Sequence, residues 1–141
     1  MFLTDTDYRV VIGEPAFKVI SQASHEVIAR AEQEAIEEIS GYLRPKYDTQ
    51  AIFSATDDDR NAQIVMLTAD VALFHMVSSL PNRLGYEIRE ARYKRAISWL
   101  EGVAAGKIVP KLPTPGDTAP DGTADAGSPD WRSAWKRNNQ W

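Results

Sequence analysis

The residues of this chain that could do chemistry are few and scattered. Neither His25 nor His75 has a carboxylate or a second histidine four positions on, the spacing that sets two metal ligands on one helix face. His75 falls in an apolar stretch and reads as a hydrogen-bonded core histidine; His25 reads as a surface residue. Asp57, Asp58 and Asp59 would offer oxygens to a hard cation. Consecutive side chains at a helix start diverge, however, and acids there are favoured by the helix dipole, so the run reads as capping. Glu32 lies inside an otherwise apolar arc between Ile28 and Ile36, where a carboxylate needs a partner; Arg89, Arg92 and His75 are the candidates. With no cysteine, thiolate chemistry, disulfides and the common zinc sites are excluded. No nucleophile–base pair or metal set forms, so the sequence predicts neither an enzyme nor a cofactor.

What remains is the chemistry of recognition. Three of the four tryptophans, Trp131, Trp135 and Trp141, stand in the last eleven residues beside Arg132, Lys136 and Arg137, with no acid among them. Tryptophan and arginine dominate binding hot spots, because rigid rings bury much area at little entropy cost. A second candidate surface pairs two helical stretches of opposite sign. One carries Glu26, Glu34, Glu37 and Glu38; the other carries Arg89, Arg92, Lys94 and Arg95 with Trp99. If copies assemble head to tail, Glu34, Glu37 and Glu38 of one meet Arg92, Arg95 and Trp99 of the next.

These residues need helices to position them. Thr4 or Asp5 caps a short helix through Ile12, Gly13 breaks it, and Pro15 starts another reaching Ile20. Ser24 opens a helix over 24–44 with Ile28, Ala31, Ala35, Ile36, Ile39, Tyr42 and Leu43 on one arc. Residues 46–56 form a connection, strand-like at 51–53. A helix over 57–80, capped by Thr56 or Asp57, is apolar all round and therefore central. The last helix, 84–105, stops at Gly106; Tyr86, Tyr93, Ile97, Leu100 and Ala104 form its core stripe, and Ile88, Arg92, Arg95 and Trp99 an outward one. The fold expected is all-α: a small bundle over 1–106, a Pro/Gly/Asp-rich linker over 107–127, and an anchor over 128–141 in which Ser128, Pro129 and Asp130 can start a short helix. Residues 1–106 carry 11 basic and 16 acidic side chains, a balance that argues against gripping nucleic acid. The opening residues do not read as a signal peptide, and no window approaches the roughly 18 apolar residues of a membrane span, so a soluble protein is expected.

Several runs are more specific than a generic bundle. The opening FLTDTDYRVVIGE, AIEEISGYLRPKYD at 35–48, DVALF at 70–74 and RYKRAISWLEGVAAGK at 92–107 together resemble a family of small helical proteins from Mu-like and other tailed phages and prophages, similar to head-tail connector or adaptor proteins. The resemblance covers roughly residues 1–110; the segment from Lys111 onward matches no pattern of that family. It implies a virion structural protein of the neck, assembled in the bacterial host cytoplasm. Its subunits would form a ring, dodecameric in the better-known connectors, beneath the portal protein. The ring would meet the next neck or tail-completion protein, and packaged DNA would pass through without specific binding. Such adaptors often reach the portal through an extended C-terminal segment, the place of Trp131, Arg132, Trp135, Lys136, Arg137 and Trp141 in this chain. The alternative is a small helical DNA-binding regulator reading bases with Arg89, Arg92 and Arg95.

Overall fold

A computed structural model describes residues 1–77 and 85–116, and all of the regular structure in them is helical. The helices are α1 (Asp5–Ile12), α2 (Glu14–Ser21), α3 (His25–Leu43), α4 (Thr49–Ser54), α5 (Ala62–Val77) and α6 (Tyr86–Ala104), with a 3-10 turn at Asp57–Asp59. Thr4 begins α1 with a reciprocal capping box: its hydroxyl accepts from the Asp7 N–H, and the Asp7 carboxylate accepts from the Thr4 N–H. Gly13, at φ 80°, turns the chain directly into α2. Ser24 caps α3 as expected.

Two local expectations fail. Residues 51–53 lie in α4, which Asp48 caps by accepting from the Ala51 N–H, so the β-branched and aromatic pair Ile52–Phe53 builds a helix rather than a strand. Asp57, Asp58 and Asp59 do not cap α5. They form the 3-10 turn, and Asn61 supplies the cap, its Oδ1 accepting from the Gln63 and Ile64 N–H groups.

The centre of the fold is α5, packed between α3 and α6 with α1 across it. Ile64, Leu67, Val71, Leu73 and Met76 are buried and meet Ile39 and Leu43 of α3 and Leu100 and Val103 of α6. Phe74, expected in the core, is only half-buried and stacks on Tyr93 with ring centroids 4.2 Å apart. The core stripe of α6 also sits off its expected line: Ala96, Leu100 and Val103 are buried, while Tyr86 and Ala104 are exposed.

The packed body continues past residue 106, where a linker was expected. Gly106, at φ 77°, ends α6 in a Schellman motif, the Lys107 N–H reaching the Gly102 carbonyl and the Gly106 N–H that of Val103. Beyond it Ile108 packs on Gly102 so closely that a Cβ there would stand 2.8 Å from Ile108 Cδ1. Leu112 is buried, Lys111 O accepts from Asn61 Nδ2, and Pro113 O accepts from the Asp48 N–H. Ile108, Pro110 and Leu112 face inward at every second position; Lys107, Val109 and Lys111 face solvent.

Candidate functional site

The basic stripe of α6 is divided between the subunit's interior and its surface. Asp70 of α5 is buried, 5 % exposed, and Arg92 Nε lies 2.8 Å from its Oδ1. Burial pushes the Asp70 carboxyl above the usual aspartate range, and Arg92, Arg89 and Arg95 pull it back. Arg89 is half-buried beside them; burial, then the charge of Arg92, lowers its pKa while Asp70 raises it. Asp70 is thus the internal counter-ion of Arg92. Trp99 packs against the subunit's own core. The expectation that Arg92, Arg95 and Trp99 all face away from that core is therefore corrected for Arg92 and Trp99. Arg95 is exposed and has no ion pair among the described residues, and Ile88 is 60 % exposed.

The acidic partner surface divides in the same way. Glu38 turns inward: its Oε2 is 3.0 Å from His75 Nε2, and its Oε1 accepts from the Tyr93 hydroxyl. That hydrogen bond, with burial and the Glu38 charge, pushes the Tyr93 pKa up to about 12. Glu38 accordingly leaves the proposed intersubunit set, and His75 is a hydrogen-bonded, half-buried residue as expected. Glu34 and Glu37 remain outward, paired with Arg30 at 3.1 Å and with Arg44 at 3.0 Å in exposed bridges. Such bridges constrain little, so both carboxylates stay available to a neighbour.

Glu32 has partners that side-chain reasoning does not supply. It is 2 % exposed, and its Oε1 accepts from the Phe2 N–H at 2.6 Å and the Leu3 N–H at 3.1 Å, not from Arg89, Arg92 or His75. Arg60 closes the other side of this hook: Nη1 donates to Phe2 O at 2.9 Å and to Asp7 Oδ2 at 2.6 Å. The Asp7 pKa is lowered, because hydrogen bonds from Arg60 and Thr4 outweigh the opposing effect of burial. Arg60 was not singled out from the sequence, and the signal available was the Thr4-to-Asp7 spacing of the capping box, which fixes the carboxylate it binds.

Two grooves on the described surface are mainly apolar. One, of about 510 Å³, runs between α1 and α5 with Val10, Val11, Val65 and Met66 as its apolar lining and Asp57 and Asp58 at its edge. The other lies between α2, the last turn of α5 and the first turn of α6 and includes Val19, Leu73 and Ile88. Among the described residues no cluster of three His, Cys, Asp or Glu could hold a metal ion, and no helix is long and apolar enough to cross a membrane. Trp131, Arg132, Trp135, Lys136, Arg137 and Trp141 lie outside the described residues, as does the expected extension of α5 to Leu80.

A family model described as "Bacteriophage Mu, Gp36" matches residues 2–127, nearly the whole chain, and the chain belongs to this family. The match extends past residue 110, where the motif resemblance stops, and ends before Trp131. No curated protein and no solved structure matches the chain.

Proposed function

We propose that this member of the bacteriophage Mu Gp36 family is a head-tail connector subunit. In this reading copies form a ring, dodecameric as in the better-known connectors, under the portal vertex. Residues 128–141 dock on the portal, and the ring bridges capsid and tail and helps retain packaged DNA. The observation that carries the proposal is the outward side of α6. Ile88 is 60 % exposed, and Arg95 is exposed two turns further on along the same side of a helix whose inner side seals the core. An exposed apolar side chain beside an unpaired cation is the composition of a contact surface. Arg95 and Ile88 of one subunit would face Glu34 and Glu37 of the next, a heterologous contact of the kind that closes rings.

The DNA-binding alternative loses support from the same helix, because Arg92 is held by Asp70 and Arg89 is half-buried, leaving Arg95 as the member of the stripe that is exposed and without an ion pair among the described residues. Negative-stain imaging and mass photometry of the protein, alone and mixed with its portal, test the proposal. Rings on the portal are expected, and Ile88→Glu with Arg95→Glu should abolish them while the subunit stays folded. A dimer that shifts DNA with a steep salt dependence would refute it.

A further inference from the structure

The groove between α1 and α5 is apolar inside and acidic at its edge. Val10 is 80 % exposed on α1 and faces the Val65 and Met66 side of the groove. Both cations that line it are spent inside the subunit, Arg60 on Asp7 and Arg92 on Asp70. Asp57 and Asp58, by contrast, are exposed and carry no ion pair among the described residues. The open charge is negative. An occupant matched to such a groove brings aromatic or aliphatic bulk together with cations.

The chain itself carries that chemistry in residues 131–141: three tryptophans, three basic residues and no acid. The chain that leads to them passes close to the groove before it leaves the packed body. Lys111 and Pro113 are fastened to Asn61 and Asp48, and Asn61 stands between Arg60 and Ala62, both of which line the groove. From Gly116 to Trp131 the connection would span roughly 45 Å in polyproline form and roughly 20 Å as a random coil, enough to return to the groove unstretched. A tether of this length sets a local concentration on the order of millimolar, so even a weak contact is occupied in cis.

We propose that the α1–α5 groove binds the chain's own 131–141 segment and covers its tryptophans in the unassembled subunit, releasing them when the portal competes for them. The role as cover rests on the reading that this segment is the portal anchor; the groove contact itself does not.

The absence of cysteine allows a direct test on the full-length chain. Ala62→Cys, exposed at the groove, is combined with Ser133→Cys and oxidised at low protein concentration. An intramolecular disulfide is expected, with its yield reduced at least about fivefold by Val10→Lys plus Asp58→Lys, since both residues are exposed and the fold does not depend on them. A control pair, Ser21→Cys with Ser133→Cys, should not close. Portal binding is measured in parallel: the Val10→Lys, Asp58→Lys variant should bind portal about tenfold more tightly if nine in ten tails are docked. Equal cross-linking of the groove and control pairs, or a yield indifferent to the groove substitutions, overturns the contact. If Trp131→Ala with Trp135→Ala abolishes portal binding in that case, the anchor reading survives without the cover. A groove cross-link with portal binding unchanged by the tryptophan substitutions overturns the cover role and the anchor reading together.

Discussion

Removing the Glu32 carboxylate should release the amino-terminal hook at a cost that can be worked from its bonds. Glu32 is 2 % exposed, and one oxygen receives two backbone N–H groups, from Phe2 at 2.6 Å and Leu3 at 3.1 Å. A hydrogen bond to a charged group contributes about 1.5–3 kcal/mol, and an orphaned buried donor costs about 1–3 kcal/mol. Glu32→Ala thus has a ceiling of about 6 kcal/mol. Two effects reduce it. The carboxylate no longer has to be desolvated, and Arg60 still holds Phe2 O, keeping Phe2 against Phe53, where the rings meet edge to face at 5.1 Å. About 3 kcal/mol is the expected loss, equivalent to about 10 °C in Tm or about 1.5 M in urea midpoint at unchanged slope. Glu32→Gln retains an acceptor oxygen and should cost about 1 kcal/mol. Chemical denaturation supplies the totals, and hydrogen exchange at the Phe2 and Leu3 amides localises them, because these two should lose protection before the α5 core does. A Glu32→Ala variant within about 0.5 kcal/mol of wild type, with both amides still protected, would refute the assignment of the hook to this carboxylate.

The remaining predictions concern other internal polar contacts. Asp70→Ala and Arg92→Ala should each cost about 2 kcal/mol, less than a fully buried pair because Arg92 is 36 % exposed, and the double variant should cost clearly less than their sum; strict additivity in a double-mutant cycle would show that the pair is not coupled. Stability should decline as pH rises from about 10 to about 12, since the Tyr93 pKa is raised in the folded state and the advantage of its protonated form is complete below its unfolded value and lost above its folded one; Tyr93→Phe should remove this part of the alkaline decline. The buried Tyr8 hydroxyl has no hydrogen-bond partner among the described residues, so Tyr8→Phe should leave the urea midpoint unchanged or raise it, and a loss above about 1 kcal/mol would mean that the hydroxyl is bonded.

The helices were legible in the sequence wherever a local signal marked their ends. Thr4, Gly13, Ser24 and Gly106 each act through neighbours within about one turn, and each behaves as its residue type requires. The central place of α5 followed from its all-round apolarity. The errors share a different origin. Ile52 and Phe53 favour strands in general, but Asp48 caps a helix there and no strand lies beside them among the described residues to accept their backbone bonds. The proline content of 107–113 concealed a period-two pattern, whose inward members become visible only once Gly102 leaves room for Ile108.

The candidate interface was harder to read because charge patterns on separate helices do not state which members face each other inside the subunit. Arg92 and Arg95 are three residues apart, so one helical turn carries both, yet Asp70 takes the first and leaves the second outside. Glu37 and Glu38 are adjacent, and the rotation of about 100° between them sends Glu38 to His75 and Tyr93 while Glu37 stays in water with Arg44. The partners that decide these outcomes lie far away in the chain: Glu38 and His75 are 37 positions apart. A stripe of like charges therefore over-counts an assembly surface by the members whose counter-ions come from the same fold. Removing them here leaves Ile88, Arg95, Glu34 and Glu37, each exposed in the subunit or held only by an exposed bridge. Substitutions in this reduced set should change association at nearly constant stability, whereas those at Arg92 and Glu38 should lower stability first, a separation that the unreduced stripe does not produce.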